Sequence, residues 1–162
     1  MMAAACVIAL GLLTVLFEGI LERQSNPNSN PASRIGEDGV REVVLRQNRQ
    51  GHYVANGAIN GSTVRFLLDT GATDVAIPLD LARAAGLTPG FESRAATANG
   101  AAVVFDTQID RLQLGEIELR DVDASIVPGM QGDTILLGMS ALRHVEFSQQ
   151  GQALTLRQYP VY

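Results

Sequence analysis

The pattern of apolar and polar positions changes character twice along the chain. Residues 1–17 carry no charged side chain; Glu18 interrupts, and Ile20 and Leu21 resume the apolar run. A bilayer span takes about 20 such residues. Residues 1–21 are therefore expected as an uncleaved transmembrane anchor, with Glu18 at the interface. A cleaved signal peptide would show a basic start and an A-x-A site after the apolar core. Here Ala3 to Ala5 come too early, and no Arg or Lys precedes Arg23. Residues 22–39, ERQSNPNSNPASRIGEDG, are polar and contain Pro27 and Pro31. That composition offers too little apolar surface to pack, so it is expected as a flexible linker.

From Val40 the apolar period falls to two. REVVLRQ reads as a strand, and GHYVANGAINGSTVRFLLD as two strands joined at Asn60-Gly61, the strongest short hairpin signal. DVAIP is a further strand. LDLARAAGL places Leu79, Ala82 and Ala85 on one helical face before Gly86. SRAATANGAAVVFDTQID predicts a second hairpin turning at Asn99-Gly100, and RLQLGEIELRDVDASIV two strands around Gly115. DTILLGMSALRHVEF reads as a buried strand, a glycine and a turn or two of helix; SQQGQALTLRQ closes with a strand. Residues 40–162 are thus expected to form one all-β domain with one or two short helices. A faint internal echo runs through it. Leu67-Leu68 leads through Asp69-Thr70-Gly71 to a short helix, and Ile135-Leu136-Leu137 leads through Gly138 to another.

Composition removes several kinds of chemistry. All 12 basic residues are Arg and are scattered, and the formal net charge is −5. Nothing resembles the basic patch of a nucleic-acid footprint, and without Lys neither Schiff-base nor Walker-type phosphate chemistry is expected. Cys6, the one cysteine, falls in the apolar run. His52 and His144 alone are too few for a closed zinc site. No metal or cofactor is expected.

Asp69 is the position that bulk patterning does not explain. It ends the apolar run Phe66-Leu67-Leu68 and is followed by Thr70, Gly71, Ala72, Thr73, Asp74 and more apolar sequence. A carboxylate flanked by core on both sides is expected to be part-buried, and it then needs donors. Gly71 lets the backbone come close enough to supply an N–H.

Asp-Thr-Gly-Ala after an apolar strand, a later hairpin with an Asn-Gly tip, then Ile-Leu-Leu-Gly and a short helix resemble the retropepsin-type aspartic proteases. The resemblance spans about Val43 to Leu156. With the anchor and linker ahead of it, the chain looks most like the membrane-anchored bacterial members. The resemblance implies a closed β-barrel acid-protease half-fold, and a homodimer with one Asp-Thr-Gly loop from each copy. It makes Asp69 the catalytic acid/base, Thr70 a hydrogen-bonding tie across the dimer, and Gly71 and Ala72 part of the same loop. Two adjacent carboxylates share one proton, because both cannot ionise side by side. The hairpin tip Thr97, Ala98, Asn99 and Gly100 would be a flap over bound peptide. Residues 127–133, with Pro128, Gly129 and Met130, would be a cleft wall. Many retroviral members carry an acid where this chain has Thr73, so backbone anchoring of the peptide would pass to Thr73 or Asp74. The implied location is the bacterial inner membrane with the domain in the periplasm.

Two other functions fit parts of the pattern. Asp69, Gly71 and Thr73 have the Asp-x-Gly-x-Thr spacing of actin-like and sugar-kinase phosphotransferases, which need two α/β domains. A non-catalytic, membrane-tethered peptide-binding module could use the same cleft without assembling the dyad.

Overall fold

A computed structural model describes residues 2–97 and 100–160; the side chains of residues 2–9, 12, 15, 18 and 97 lie outside the description. Helix α1 (Met2–Ser25) precedes eleven strands and two short helices. Strands β1 (Ala32–Ile35), β2 (Arg41–Arg46), β10 (Glu146–Gln150) and β11 (Ala153–Gln158) form a four-stranded antiparallel sheet in the order β1-β2-β11-β10. The larger sheet holds β3 (Val54–Ile59), β4 (Ser62–Leu68), β5 (Val75–Pro78), β6 (Glu92–Thr97), β7 (Gly100–Leu114), β8 (Ile117–Val127) and β9 (Thr134–Leu137). Its order is β3-β4-β9-β5-β8-β7-β6, and a further β3–β7 pairing closes six of the strands into a barrel. Helices α2 (Leu79–Ala84) and α3 (Met139–Leu142) follow β5 and β9. The all-β character with short helices agrees with the sequence.

The barrel is built by alternation. Along β4, Val64 and Phe66 are buried; Ile135 and Leu137 do the same on β9, and Val75 and Ile77 on β5. These side chains share one aliphatic core with Ile109, Leu112, Val122 and Ile126. The first hairpin turns as expected: Asn60 and Gly61 both take positive φ, 50° and 85°, which the tight hairpin turn demands. Closure depends on Gly57, where a Cβ would lie 2.3 Å from the Gln113 carbonyl oxygen and 2.6 Å from the Phe66 ring. The internal echo also has a structural meaning. β4 and β9 run parallel with Leu67 beside Leu136 and Leu68 beside Leu137, so the two similar segments are neighbours.

The polar segment before Val40 differs from its expectation as a flexible linker. Asn26 and Asn28 are buried, 1% and 3% exposed. The Asn28 side chain donates to the carbonyls of Arg46 (2.9 Å) and Val54 (2.7 Å) and accepts from the Arg46 N–H (2.7 Å). It thereby stitches β2 to β3. Asn26 donates to the Asn56 side chain at 2.7 Å, and β1 pairs with β2 from Ala32↔Val44 to Ile35↔Arg41. The ordered domain thus starts near Asn26 rather than Val40. Composition misses this because the segment is held by backbone and amide hydrogen bonds, not by apolar burial. Asn28→Ala would leave two carbonyls and one N–H without these partners, which should cost about 2–5 kcal/mol. A fall in the urea midpoint at unchanged m-value would report it.

On the four-stranded sheet, Glu42 accepts from Arg157 (2.8 Å) and Arg34 (2.9 Å). The Arg157 hydrogen bond first, then that of Arg34, holds the Glu42 carboxyl below the usual carboxylate range. This ties the edge strand β1 and the penultimate residues of β11 to the same side chain of β2.

Candidate active site

Asp69 stands at the end of β4 because the strand cannot continue past it: its N–H donates to the Leu137 carbonyl at 3.2 Å, and the chain then turns. The turn is closed by the Ala72 N–H on the Asp69 carbonyl (3.2 Å). The Gly71 N–H donates to Asp69 Oδ1 at 2.9 Å, the donor expected from the sequence. The carboxylate is half-buried, while Thr70 and Gly71 are exposed.

The other side of the loop is lashed to α3. Met139 N–H donates to the Ala72 carbonyl (2.9 Å), and Ser140 N–H to the Thr73 carbonyl (2.8 Å). The buried Ser140 hydroxyl accepts from the Val75 N–H at 3.0 Å. Gly138 makes this approach possible, since a Cβ there would fall 2.2 Å from the Asp74 carbonyl oxygen and 2.8 Å from that of Ala72. The sequence pointed to Gly138 but not to Ser140, for which the available signal was a hydroxyl two residues after that glycine. Asp74 is half-buried and accepts from the Ser125 hydroxyl at 3.4 Å. Thr73 is exposed beside it.

The remaining expected site residues lie on two other elements. β6 and β7 make the expected hairpin, with Thr97 opposite Gly100; Ala98 and Asn99 at its tip lie outside the described residues. Residues 100–104 of β7 pair with β6 alone, so the hairpin projects from the barrel as a two-stranded ribbon. Such ribbons are marginally stable without further packing. Pro128, Gly129 and Met130 follow β8, with the Met130 N–H on the Val127 carbonyl (3.0 Å). That loop enters β9 at Thr134, while Asp69 bonds Leu137 at the other end. Loop and carboxylate are thus separated by about 10 Å along the strand.

A hollow of about 400 Å3 adjoins the loop, lined by Asp69, Thr70, Tyr53, Leu68, Leu142 and Phe147 among others. Tyr53 and Phe147 were not singled out by sequence, because one directly precedes β3 and the other lies in β10, far apart in the chain. A larger hollow of about 650 Å3, bordered by Arg41, Glu118, His144 and Tyr159, includes none of the loop residues. Among the described residues no group of three or more His, Cys, Asp or Glu side chains is arranged to hold a metal.

Residues 55–144 match the family described as gag-polyprotein putative aspartyl protease, more than half of the chain. The chain belongs to this aspartyl protease family. By sequence it is a member of that family, and its fold is retropepsin-like. An uncharacterised protein of a Sinorhizobium species is 32% identical over 115 residues, covering 69% of this chain and 49% of that protein. An uncharacterised protein of Rickettsia prowazekii is 29% identical over 115 residues, covering 64% of this chain and 45% of that protein. The chain therefore spans about half the length of these curated relatives. The crystal structure of a retropepsin-like aspartic protease from Rickettsia conorii shares the fold, with TM-score 0.59 and 24% identity, over 80% of this chain and 95% of that one. The phosphotransferase alternative needs two α/β domains, and this barrel does not provide them.

Among the described residues no helix is long and apolar enough to cross a membrane. The anchor expected over residues 1–21 falls largely on side chains outside the description. The large apolar side chains of α1 that are described, Leu10, Leu13, Leu16, Phe17, Ile20 and Leu21, are each half or more exposed.

Proposed function

We propose that the chain is an aspartic endopeptidase whose active site is an Asp69/Asp69 pair formed across a homodimer. The observation that carries this reading is the Asp69 carboxylate itself. It is half-buried at a strand end, hydrogen-bonded by the Gly71 N–H, in a loop fixed by β9 and α3. One such loop supplies one carboxylate, and the chemistry needs two in different protonation states. The ionised partner takes a proton from water as the water oxygen attacks the scissile carbonyl carbon. The neutral partner donates its proton to the carbonyl oxygen. As the tetrahedral carbon collapses the C–N bond breaks, the departing nitrogen takes the proton that the first carboxyl gained from water, and one hydroxyl of that carbon gives its proton to the second carboxylate. One carboxyl and one amine terminus result, and the pair again shares a single proton.

In this reading the β6–β7 ribbon closes over an extended peptide, and Thr73, Asp74 and residues 128–130 flank it. The six exposed apolar side chains of α1 support a bilayer anchor, since leaving each in water forgoes about 1.5–3 kcal/mol of burial. The resemblance to membrane-anchored bacterial members supports a domain on the periplasmic face of the inner membrane. The test is incubation of the full chain, in detergent, with unfolded β-casein. New amine termini should appear, and the rate per chain should rise with chain concentration until the dimer saturates. Absence of new termini at every concentration overturns the endopeptidase reading.

A further inference from the structure

The junction between α1 and the barrel is rigid. Asn26, the first residue past α1, donates its N–H to the Glu22 carbonyl at 2.8 Å. The Asn48 side chain donates to the Ser25 carbonyl at 3.0 Å, and Arg49 donates to the Gln24 side chain at 2.8 Å. Glu22 pairs with Arg65 of β4. Three residues past the helix, Asn28 is buried and stitched to β2 and β3. There is no slack between the last helical turn and the fold.

These contacts fall close to the catalytic loop. Arg65 lies four residues before Asp69 on β4, about 13 Å along the strand. The 48–52 turn that holds Ser25 and Gln24 leads to Tyr53, whose carbonyl accepts from the Leu68 N–H at 3.0 Å, next to Asp69. From residue 2 to Leu21, α1 would span about 30 Å at 1.5 Å per residue, the thickness of a bilayer core. Glu22 and Arg23 would then meet the headgroups, and Asp69, tied to Glu22 through Arg65, could stand no more than about 25 Å above them.

We propose that α1 and the asparagine clip hold the Asp69 loop at a fixed, short height above a bilayer. The chain would then cut segments of membrane-embedded polypeptides that emerge close to the same bilayer face. This rests on the endopeptidase and anchor readings above, and it names their substrate class. A flexible linker would sweep the site through a range of heights; a clipped helix confines it to one.

The test uses the full chain reconstituted in vesicles with single-pass reporters. Each reporter carries a β-casein segment that the chain cuts in solution, raised on a helical spacer of about 10 or about 30 residues, or roughly 15 and 45 Å. The near reporter should be cut at least about fivefold faster than the raised one. Inserting about 30 Gly/Ser residues between Ser25 and Asn26, which span about 30 Å, should bring the two rates together. That variant should cut soluble β-casein as the parent does. Equal rates on near and raised reporters by the parent chain, or discrimination that survives the insertion, overturn this inference alone. Failure of the chain to float with the vesicles overturns it with the anchor reading. Failure to cut β-casein in solution overturns the endopeptidase reading, and this inference with it.

Discussion

Replacing Asp69 by Asn should lower β-casein cleavage by at least about a thousandfold, within the range expected when a general acid/base is removed. The substitution keeps the side-chain shape and an oxygen that can still accept from the Gly71 N–H, so the loop should hold its geometry. It removes the charge that takes a proton from water. The more diagnostic result comes from mixing. If each site draws one carboxylate from each of two copies, a parent chain mixed with a threefold excess of Asp69→Asn leaves about one-sixteenth of the pairs fully active. Cleavage should fall to roughly that level after exchange, well below the one-quarter expected from dilution alone. Cross-linking of differently tagged chains would establish that mixed pairs form. Activity that tracks the parent fraction, with mixed pairs present, would show that one chain is sufficient and remove the shared-carboxylate mechanism.

Much of the loop was legible because its chemistry is local. An acid ending an apolar strand, with glycine two residues on, is readable from four residues, and so is the Asn60-Gly61 turn. Gly138 was legible as part of an apolar-strand-then-glycine pattern, although its partners are not. Nothing in the order of residues says that it packs on the Asp74 and Ala72 carbonyls. The same applies to Tyr53, just before β3, and Phe147, in β10, which reach the loop through contacts of long sequence separation. The segment from Asn26 to Ile35 was misread for a different reason. Hydropathy counts apolar area, and this segment is fixed by amide-to-backbone bonds and by strand pairing, to which hydropathy is blind. The error matters functionally, because the proposed height of the site rests on this segment being a clip rather than a loose linker.

Gly138→Ala should lower both stability and cleavage, and it tests how the loop is held. Gly138 has φ −87°, which any residue can adopt, so the added methyl brings no backbone strain of its own. The obstacle is space. The Cβ would sit 2.2 Å from the Asp74 carbonyl oxygen, 2.7 Å from its carbonyl carbon and 2.8 Å from the Ala72 oxygen. All three are backbone atoms, so no side chain can rotate away. Either α3 or the 69–74 loop must move by more than half an ångström. Movement would stretch the Met139–Ala72, Ser140–Thr73 and Val75–Ser140 bonds together, with overpacking alone costing about 1–3 kcal/mol and each broken buried bond about 1 more. A total of up to about 4–6 kcal/mol would consume much of the stability of a domain this size. Urea unfolding measures the loss, and β-casein cleavage at low temperature, where the variant remains folded, measures the loop. Both should fall, cleavage by at least about tenfold, because displacing a catalytic group by about 1 Å is enough for losses of that order. A folded variant with parental cleavage would mean that the contact between Gly138 and the loop does not position Asp69.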